Sequence, residues 1–516
     1  MTIAVAAPND LAARAGAGMA DVGGNAVDAA LAAAVTAMVS EPGICSLAGG
    51  CYVIVAPPGA PVEVVDANVT MPGAGLDVTP GQGTFTLQTD YGGGVEMTIG
   101  HGSVATPTTP AGLALAHRRH GRAAWSDVWA PAVRAAAEGF PMGSAATYYL
   151  RYVHDDLYGW HEPSRAAIHD GDGKLVAEGE PVVIADLAAT LQAIADDGVE
   201  VLYDGWLGDR IVDDVRAHDG LLTRDDLRRY RPTVRPALQT VATTPAGRWR
   251  VATNPPPAIG GVTLSAMLEL LTRSGPLPGA WDDDLVVRMA RAQDLVLSRR
   301  VTELDPARDR PAAATALLAA IDDGTFDAAM ASPSTIHVSA VDDTGLACAV
   351  TASAGYGSGV MPPGTGLWLN NCLGEHELNP HGLHRWEPGD HLPSNMAPTV
   401  VEAPDGARLA IGSPGADRIT TAILQTLVHL FGDADLRTAI AAPRLHVRHH
   451  PDGSLWRVGH EEDLDVSALD APTESFHPRA MFFGGVAATL RHADGRLEAA
   501  GDPRRTGATR LSDWSD

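Results

Sequence analysis

Apolar and polar residues alternate most clearly over 336–340, where Ile336, Val338 and Ala340 are separated by His337 and Ser339. That two-residue period is the signature of a strand. Asp342-Asp343-Thr344-Gly345 carries the turn chemistry of a hairpin, and 346–351 reads as the returning strand. A run of mostly small residues over 327–333 precedes it and is expected to be exposed. Thr335 therefore stands at the head of a hairpin that begins abruptly after a loop. If the bond before it were cut, Thr335 would carry both a hydroxyl and a free α-amine, and such an amine can act as the base that a hydroxyl nucleophile needs. By itself a threonine there is ordinary, because its branched Cβ suits a pleated surface.

The rest of the pattern is mixed helix and strand. Residues 9–40 predict a helix capped by Asn9 or Asp10, broken at Gly23-Gly24, resumed near Asn25 and ended by Pro42-Gly43. The alanine-rich run 29–37 suits close packing of that helix on a sheet. Residues 51–57 and 62–66 read as neighbouring buried strands. Helices are expected after Leu113 to about His120, from Trp125 to Gly139, after the rigid turn 255–261 and over 286–303, with Thr223 capping a short one. There is no internal repeat and no charge block long enough to form a tail.

With 516 residues and 45% hydrophobic content the chain can bury a large layered core. Its net charge of −26 argues against nucleic-acid partners and against docking on anionic lipid, both of which need clustered cations. Lys174 is the only lysine, in the turn-like 170–174, which argues against Schiff-base chemistry and pyridoxal phosphate. Cys45, Cys51, Cys348 and Cys372 show no Cys-x-x-Cys spacing and read as buried small hydrophobes in a reducing compartment. No basic segment precedes an apolar core at the N-terminus and no apolar run reaches the length of a membrane span, so a cytoplasmic location is expected.

Histidines gather in two places. Glu375, His376, His381, His384 and His391 fall in 374–394, where Pro380 and Pro388 argue for an irregular, exposed loop over a metal site. His446, His449 and His450 read as an exposed strand end. No metal and no cofactor is expected.

The stretch around Thr335 resembles the processing site of the γ-glutamyltranspeptidase family, whose members read Thr-Thr-His-x-Ser-Val-Val-Asp there. The likeness continues through Gly23-Gly24-Asn25-Ala26-Val27-Asp28-Ala29-Ala30, Glu41-Pro42 with Ala48-Gly49-Gly50, Leu369-Asn370-Asn371, Pro393-Ser394-Asn395-Met396-Ala397-Pro398-Thr399, Gly412-Ser413-Pro414-Gly415 and Asp502-Pro503-Arg504. Each motif is short; their number and order carry the resemblance. It implies an α+β fold, a four-layer αββα sandwich of the N-terminal nucleophile hydrolase type. It also implies a precursor cut between Ser334 and Thr335 into a large subunit (1–334) and a small one (335–516), which stay together as one catalytic domain.

The resemblance also implies site residues. Thr335 is the nucleophile, with Thr351 and Ser353 at the positions of two family threonines after the hairpin. Gly415 and Ala416 stand where a Gly-Gly pair forms the oxyanion hole through backbone N–H groups, which survive a Gly-to-Ala change if φ permits. Ser394 and Asn395 match a Ser-Ser pair that holds the donor's α-carboxylate, and Glu375 matches an aspartate that holds its α-ammonium. Two positions depart from the family. Asn68 replaces the arginine that clamps the α-carboxylate, a difference of roughly 1–3 kcal/mol. Cys372 replaces an amide or acid that helps hold the amino group. The family's Thr-x-Thr-x-Asn also becomes Thr351-Ala352-Ser353-Ala354-Gly355, and 375–394 is short for a lid, which predicts a more open site.

Three functions follow. The first is a γ-glutamyl hydrolase or transferase acting on glutathione-like amides, with water or an amine as acceptor. The second keeps the mechanism but takes another acyl group, as in cephalosporin acylases, poly-γ-glutamate-processing enzymes or biosynthetic hydrolases. The third is an uncut pseudoenzyme with a binding role.

Overall fold

The computed structural model describes residues 1–90, 95–273, 275, 277–323, 335–450 and 452–512. Ser334 and the run 327–333 lie outside the described residues. Two antiparallel sheets form the centre. The first has seven strands in the order Ala508–Leu511, Ile3–Ala7, Ile336–Asp342, Ala347–Ser353, Gly50–Ala56, Glu63–Ala67, Thr233–Pro236. The second has six, in the order Leu497–Gly501, Ala487–Arg491, Arg408–Gly412, Thr399–Glu402, Gly247–Thr253, Leu238–Thr244.

The strand that begins after Thr335 is central. It pairs with Ile3–Ala7 on one side and Ala347–Ser353 on the other. Its alternation does not separate core from solvent, because all seven residues are buried. Ile336, Val338 and Ala340 join the cluster containing Val27, Leu31 and Val35 of the helix Ala26–Ser40. The opposite face meets the second sheet: Val341 packs with Ala4, Ala6, Tyr52 and Ile54 against Val400, Ala410, Ala487 and Ala499. His337 and Ser339 are thus polar groups between two sheets.

The outer face of the second sheet is covered in turn. Val251, Val401, Leu409 and Ile411 pack against Leu264, Met267 and Leu268 of the helix Ile259–Arg273 and Ile419, Ile423 and Leu427 of the helix Arg418–Phe431. No helix among the described residues is long and apolar enough to cross a membrane.

The N-terminal reading meets its expected breaks. Asn9 caps Asp10–Ala17, a 3₁₀ turn spans Gly18–Val22, and Asn25 caps Ala26–Ser40 in a capping box with Asp28. Every residue of Ala26–Ser40 is buried, so its alanines let it lie close to the strands beneath. Asp28 is also an anchor for a remote turn: its Oδ2 accepts from the N–H groups of Asn25 (2.9 Å), Arg122 (2.9 Å) and Ala123 (3.2 Å). The four cysteines are free and buried.

Two histidine expectations hold only in part. His446 and His449 are each 1% exposed although Leu445–His449 is the edge strand of a three-stranded sheet, paired with Leu455–Glu461, whereas His450 just beyond it is exposed as expected. His446 Nε2 lies 2.9 Å from Asp417 Oδ2, and His449 Nε2 lies 2.6 Å from Asp294 Oδ1. The 374–394 stretch is irregular and partly exposed as expected, at His376, Arg385 and Glu387 to Asp390, but it also turns inward, with Glu375, His384, Trp386 and Leu392 buried. His384 Nε2 donates to Gly102 O (2.7 Å), which pins the stretch to the body.

Replacing Asp28 by Ala leaves three N–H donors without their acceptor. The expected loss is about 2–3 kcal/mol, read as a lower urea midpoint at unchanged slope. An unchanged midpoint would remove Asp28 from the role of anchor.

Candidate active site

Thr335 immediately precedes the central strand and is 2% exposed. It lines a small cavity of about 20 Å³ together with Asn68, Ser353, Cys372, Glu375, Ser394, Asn395 and Ala416. Residues from six separate stretches of chain converge there. Asn68 follows the strand Glu63–Ala67, Ser353 ends the return strand, and Ala416 precedes the helix Arg418–Phe431. Val69, Leu378, Met396 and Ile419 complete the wall with apolar surface. Their neighbours in sequence are flagged residues, which is the only signal that could have found them. Of the stretches expected to form the site, Thr351 and Gly415 do not touch this cavity.

Thr351 faces His337 across the hairpin, and its Oγ1 lies 2.8 Å from His337 Nδ1. His337 Nε2 lies 2.9 Å from Ser339 Oγ, which donates to Ala487 O (3.2 Å) on the second sheet. The ring has no room to move: a Cβ on Gly412 would sit 2.3 Å from His337 Cε1. This chain of hydrogen bonds ties the two sheets together directly below Thr335. Burial holds the imidazole neutral, pushing its pKa down to about 3.

Ser413, Pro414, Gly415 and Ala416 form the turn into the helix Arg418–Phe431. Gly415 has φ +122° and Ala416 φ +65°. Ala416 thus holds a left-handed conformation that costs a non-glycine residue about 1–3 kcal/mol, and such strain gathers at working sites. Among the described residues the backbone N–H groups of Gly415 and Ala416 have no acceptor, and they lie at the positive end of a 14-residue helix. Asp417 fixes the turn from below. Burial alone would raise its pKa, but the charges of Arg418 and His446 bring it well under the usual carboxylate range.

The substrate-side residues differ in how far they are already engaged. Asn68 Nδ2 donates to Leu392 O (2.7 Å), so the amide that stands in the arginine's place holds down the loop. Ser394 O accepts from the N–H groups of Ile259 and Gly260. Asn395 is 4% exposed, and both its Nδ2 and Oδ1 lack a hydrogen-bond partner. Burial, then the neighbouring Glu375 carboxylate to which it is hydrogen-bonded, raises the Cys372 thiol well above its ordinary pKa. Among the described residues lining the cavity, Glu375 is the one carboxylate and none is cationic. The expectation of a more open site does not hold for the uncut chain: Thr335 is buried, and the cavity has room for about one water.

Thr335 also borders a second cavity of about 30 Å³, lined by Glu41, Ile336, His337, Pro414, Asp502 and Arg505 among others. Burial pushes the Glu41 carboxyl up to about 7, although Asn9 Nδ2 donates to its Oε1 (2.7 Å). The Asp502-Pro503-Arg504 motif supports this side. Arg504 Nε donates to Glu461 Oε1 (2.9 Å), and Arg444 pairs with Asp502 (2.8 Å), all four side chains being buried.

Two paired sheets, a buried threonine at the head of a central strand and the Gly415-Ala416 turn leading from the second sheet into a helix make up the fold around the cavity. A cephalosporin acylase from Bacillus halodurans has the same fold, with a TM-score of 0.79 at 22% identity, covering 99% of this chain and 95% of that one. The model of the γ-glutamyltranspeptidase family matches residues 12–511, and the chain belongs to that family. It is 28% identical over 522 residues to the glutathione hydrolase proenzyme of Escherichia coli K12, covering 93% of this chain and 87% of the relative. It is likewise 28% identical over 527 residues to the acylase ACY 1 proenzyme of Pseudomonas sp. V22, covering 95% and 90%.

His337 gives a pH prediction. Its ordinary pKa is near 6.5 and its folded value about 3, so between those values the unfolded chain binds the extra proton. Stability then rises with pH across this window, by at most about 1.4 kcal/mol per unit, and the full contribution is present above pH 6.5. His337→Gln is expected to flatten the stability profile between pH 3 and 6.5 relative to the parent. Parallel profiles for the two proteins would contradict it.

Proposed function

We propose that this chain is a self-processing acyl enzyme with Thr335 as its nucleophile. Convergence of the cavity residues on Thr335, beside the strained Gly415-Ala416 turn, is the observation that carries this. Thr335 Oγ attacks the Ser334 carbonyl carbon, the bond to the Thr335 nitrogen breaks, and an ester links the two residues. Water hydrolyses the ester to a Ser334 carboxylate and a free Thr335 amine. The products are a large subunit, 1–334, and a small one, 335–516. The helix–sheet–sheet–helix packing supports reading their joint body as a four-layer αββα sandwich: each sheet combines strands from 1–334 with strands from 335–516, so cleavage leaves them associated.

In the mature enzyme the Thr335 amine takes the proton from Oγ, and Oγ attacks the substrate's acyl carbon. The N–H groups of Gly415 and Ala416 receive the developing oxyanion, with the helix dipole behind them. The leaving amine departs with the proton, and water or another amine then takes the acyl group. Ser353 is placed to orient the Thr335 amine. Thr351 acts through His337, as a positioning residue. Glu375 with Cys372 receives an ammonium group, and Ser394 and Asn395 receive a polar group opposite it. The family and its glutathione hydrolase relatives favour a γ-glutamyl donor.

A specific observation favours a second acyl class. Among the described residues no cation lines the cavity, and Asn68 is committed to Leu392 O. A donor without an α-carboxylate, of the kind an acylase takes, brings no anion that would need a cation there.

Intact mass tests the processing step. The parent is expected to give two species breaking between Ser334 and Thr335. Thr335→Ala is expected to remain one chain of 53.6 kDa. A parent that stays uncut under all conditions would favour the pseudoenzyme.

Asn68→Arg separates the two acyl classes. If the native donor lacks the carboxylate, the substitution raises kcat/KM for a γ-glutamyl anilide about tenfold or more, the equivalent of 1–3 kcal/mol. It lowers or leaves unchanged the rate with the same anilide stripped of its α-carboxylate. A parent that already prefers the γ-glutamyl anilide, and is not improved by the change, would assign the γ-glutamyl donor.

A further inference from the structure

We propose that His101, His161 and Asp214 form a binding site for one divalent cation of the zinc class, which clamps the wall behind the substrate cavity. Their ligand atoms all lie within 4.8 Å of one another. They come from three distant places in the chain: the 3₁₀ turn His101–Ser103, the residue before the helix Glu162–Ile168, and the helix Trp206–Ala217. No spacing in the sequence brings them together.

The geometry is that of ligands around a missing centre. His101 Nε2 and Asp214 Oδ2 are 3.3 Å apart. Ligand atoms about 2.0–2.1 Å from a tetrahedral ion stand close to that distance from each other. Both atoms are buried, and among the described residues neither makes a hydrogen bond of good geometry; the 3.3 Å ion-pair approach is to each other. Leaving two such groups unsatisfied is costly, and native interiors rarely do so. The His101 and His161 rings meet edge to face with centroids 5.9 Å apart, as two imidazoles do around a shared ion.

Outer contacts suit the same role. His161 Nδ1 is 3.5 Å from Ser164 Oγ, which can accept from an Nδ1–H and so leave Nε2 for the ion. Nδ1 is also 3.4 Å from the Met361 N–H. That bond requires the other tautomer, with the proton on Nε2, and represents the metal-free arrangement. His218 stacks on His101 (centroids 4.3 Å, 20° between planes), and its Nδ1 donates to Asp214 O (2.8 Å). Two imidazoles and one carboxylate suit zinc, cobalt or nickel, and fit magnesium or calcium poorly. The fourth position falls to water.

A second histidine cluster serves as an internal contrast. His154 Nδ1 and His169 Nε2 already bond each other at 2.9 Å, and Asp155 beside them is 68% exposed. That group is satisfied without an ion.

The position gives the clamp its consequence. Gly102 O accepts from His384 Nε2, and Ser103 O accepts from Leu373 N (3.1 Å), next to Cys372 and Glu375. An ion at His101 would hold this turn against the helix Trp206–Ala217 and stiffen the ammonium side of the cavity.

Metal-stripped full chain is titrated with Zn²⁺ by calorimetry and with Co²⁺ by visible absorption. One ion per chain is expected, with the d–d bands of a low-coordinate Co²⁺ site and a higher melting temperature on addition of Zn²⁺. His101→Ala and Asp214→Asn are expected to weaken binding more than about tenfold, whereas His154→Ala leaves it unchanged. Absence of Co²⁺ bands and of a melting shift in the parent would overturn the proposal whether or not the variants fold. So would binding lost in His154→Ala and retained in Asp214→Asn.

Discussion

Burial of the strand Ile336–Asp342 on both faces is the constraint on which the rest of the structure depends. A strand with strands at both edges, a helix on one face and a second sheet on the other has no freedom of register, since a shift by one residue would exchange its apolar and polar faces. His337 and Ser339 secure the register from the polar side by reaching across to Thr351 and to Ala487 O. Thr335, one residue before the strand, inherits that rigidity. The proposed nucleophile is therefore held by the centre of the fold, while Asn68, Cys372, Glu375, Ser394 and Asn395 reach the cavity from connections at its edge.

That division explains how one framework can serve several acyl donors. The turn proposed to receive the oxyanion, Gly412–Ala416, lies between a core strand and a buried helix. Asn68, Cys372, Glu375, Ser394 and Asn395 sit on connections, where a change such as arginine to asparagine alters the charge of the cavity without disturbing either sheet. Asn68 shows the exchange directly: its amide now secures the loop at Leu392, a structural task taken up by a position that binds carboxylate elsewhere in the family.

How much of this was legible in the sequence differs from residue to residue. The helices capped by Asn9, Asn25 and Thr223 were readable because capping is local chemistry, decided by side chains within three residues of the backbone they satisfy. The hairpin at Asp342-Gly345 was readable for the same reason. The histidines were not. His446, His449 and His384 looked like surface residues by composition and neighbours, and became buried because Asp417, Asp294 and Gly102 O, far away in the chain, offered them partners. The closure of the site was also illegible, since loop length says nothing of what the loop folds onto.

By itself, then, the sequence determined the local elements, the nucleophile's place at the head of a strand, the family and the unusual loss of the arginine at Asn68. These depend on residue type and short spacing. Only the tertiary structure decided that His337 faces a second sheet, that Thr351 is spent on His337, that Asn395 keeps an unpaired amide in the cavity, and that His101, His161 and Asp214 meet. They depend on how segments pack together, from the two strands of one hairpin for Thr351 and His337 to stretches more than a hundred residues apart for Ser339 and Ala487. Such contacts are set by how the sheets and helices stack, and no local pattern along the chain encodes them.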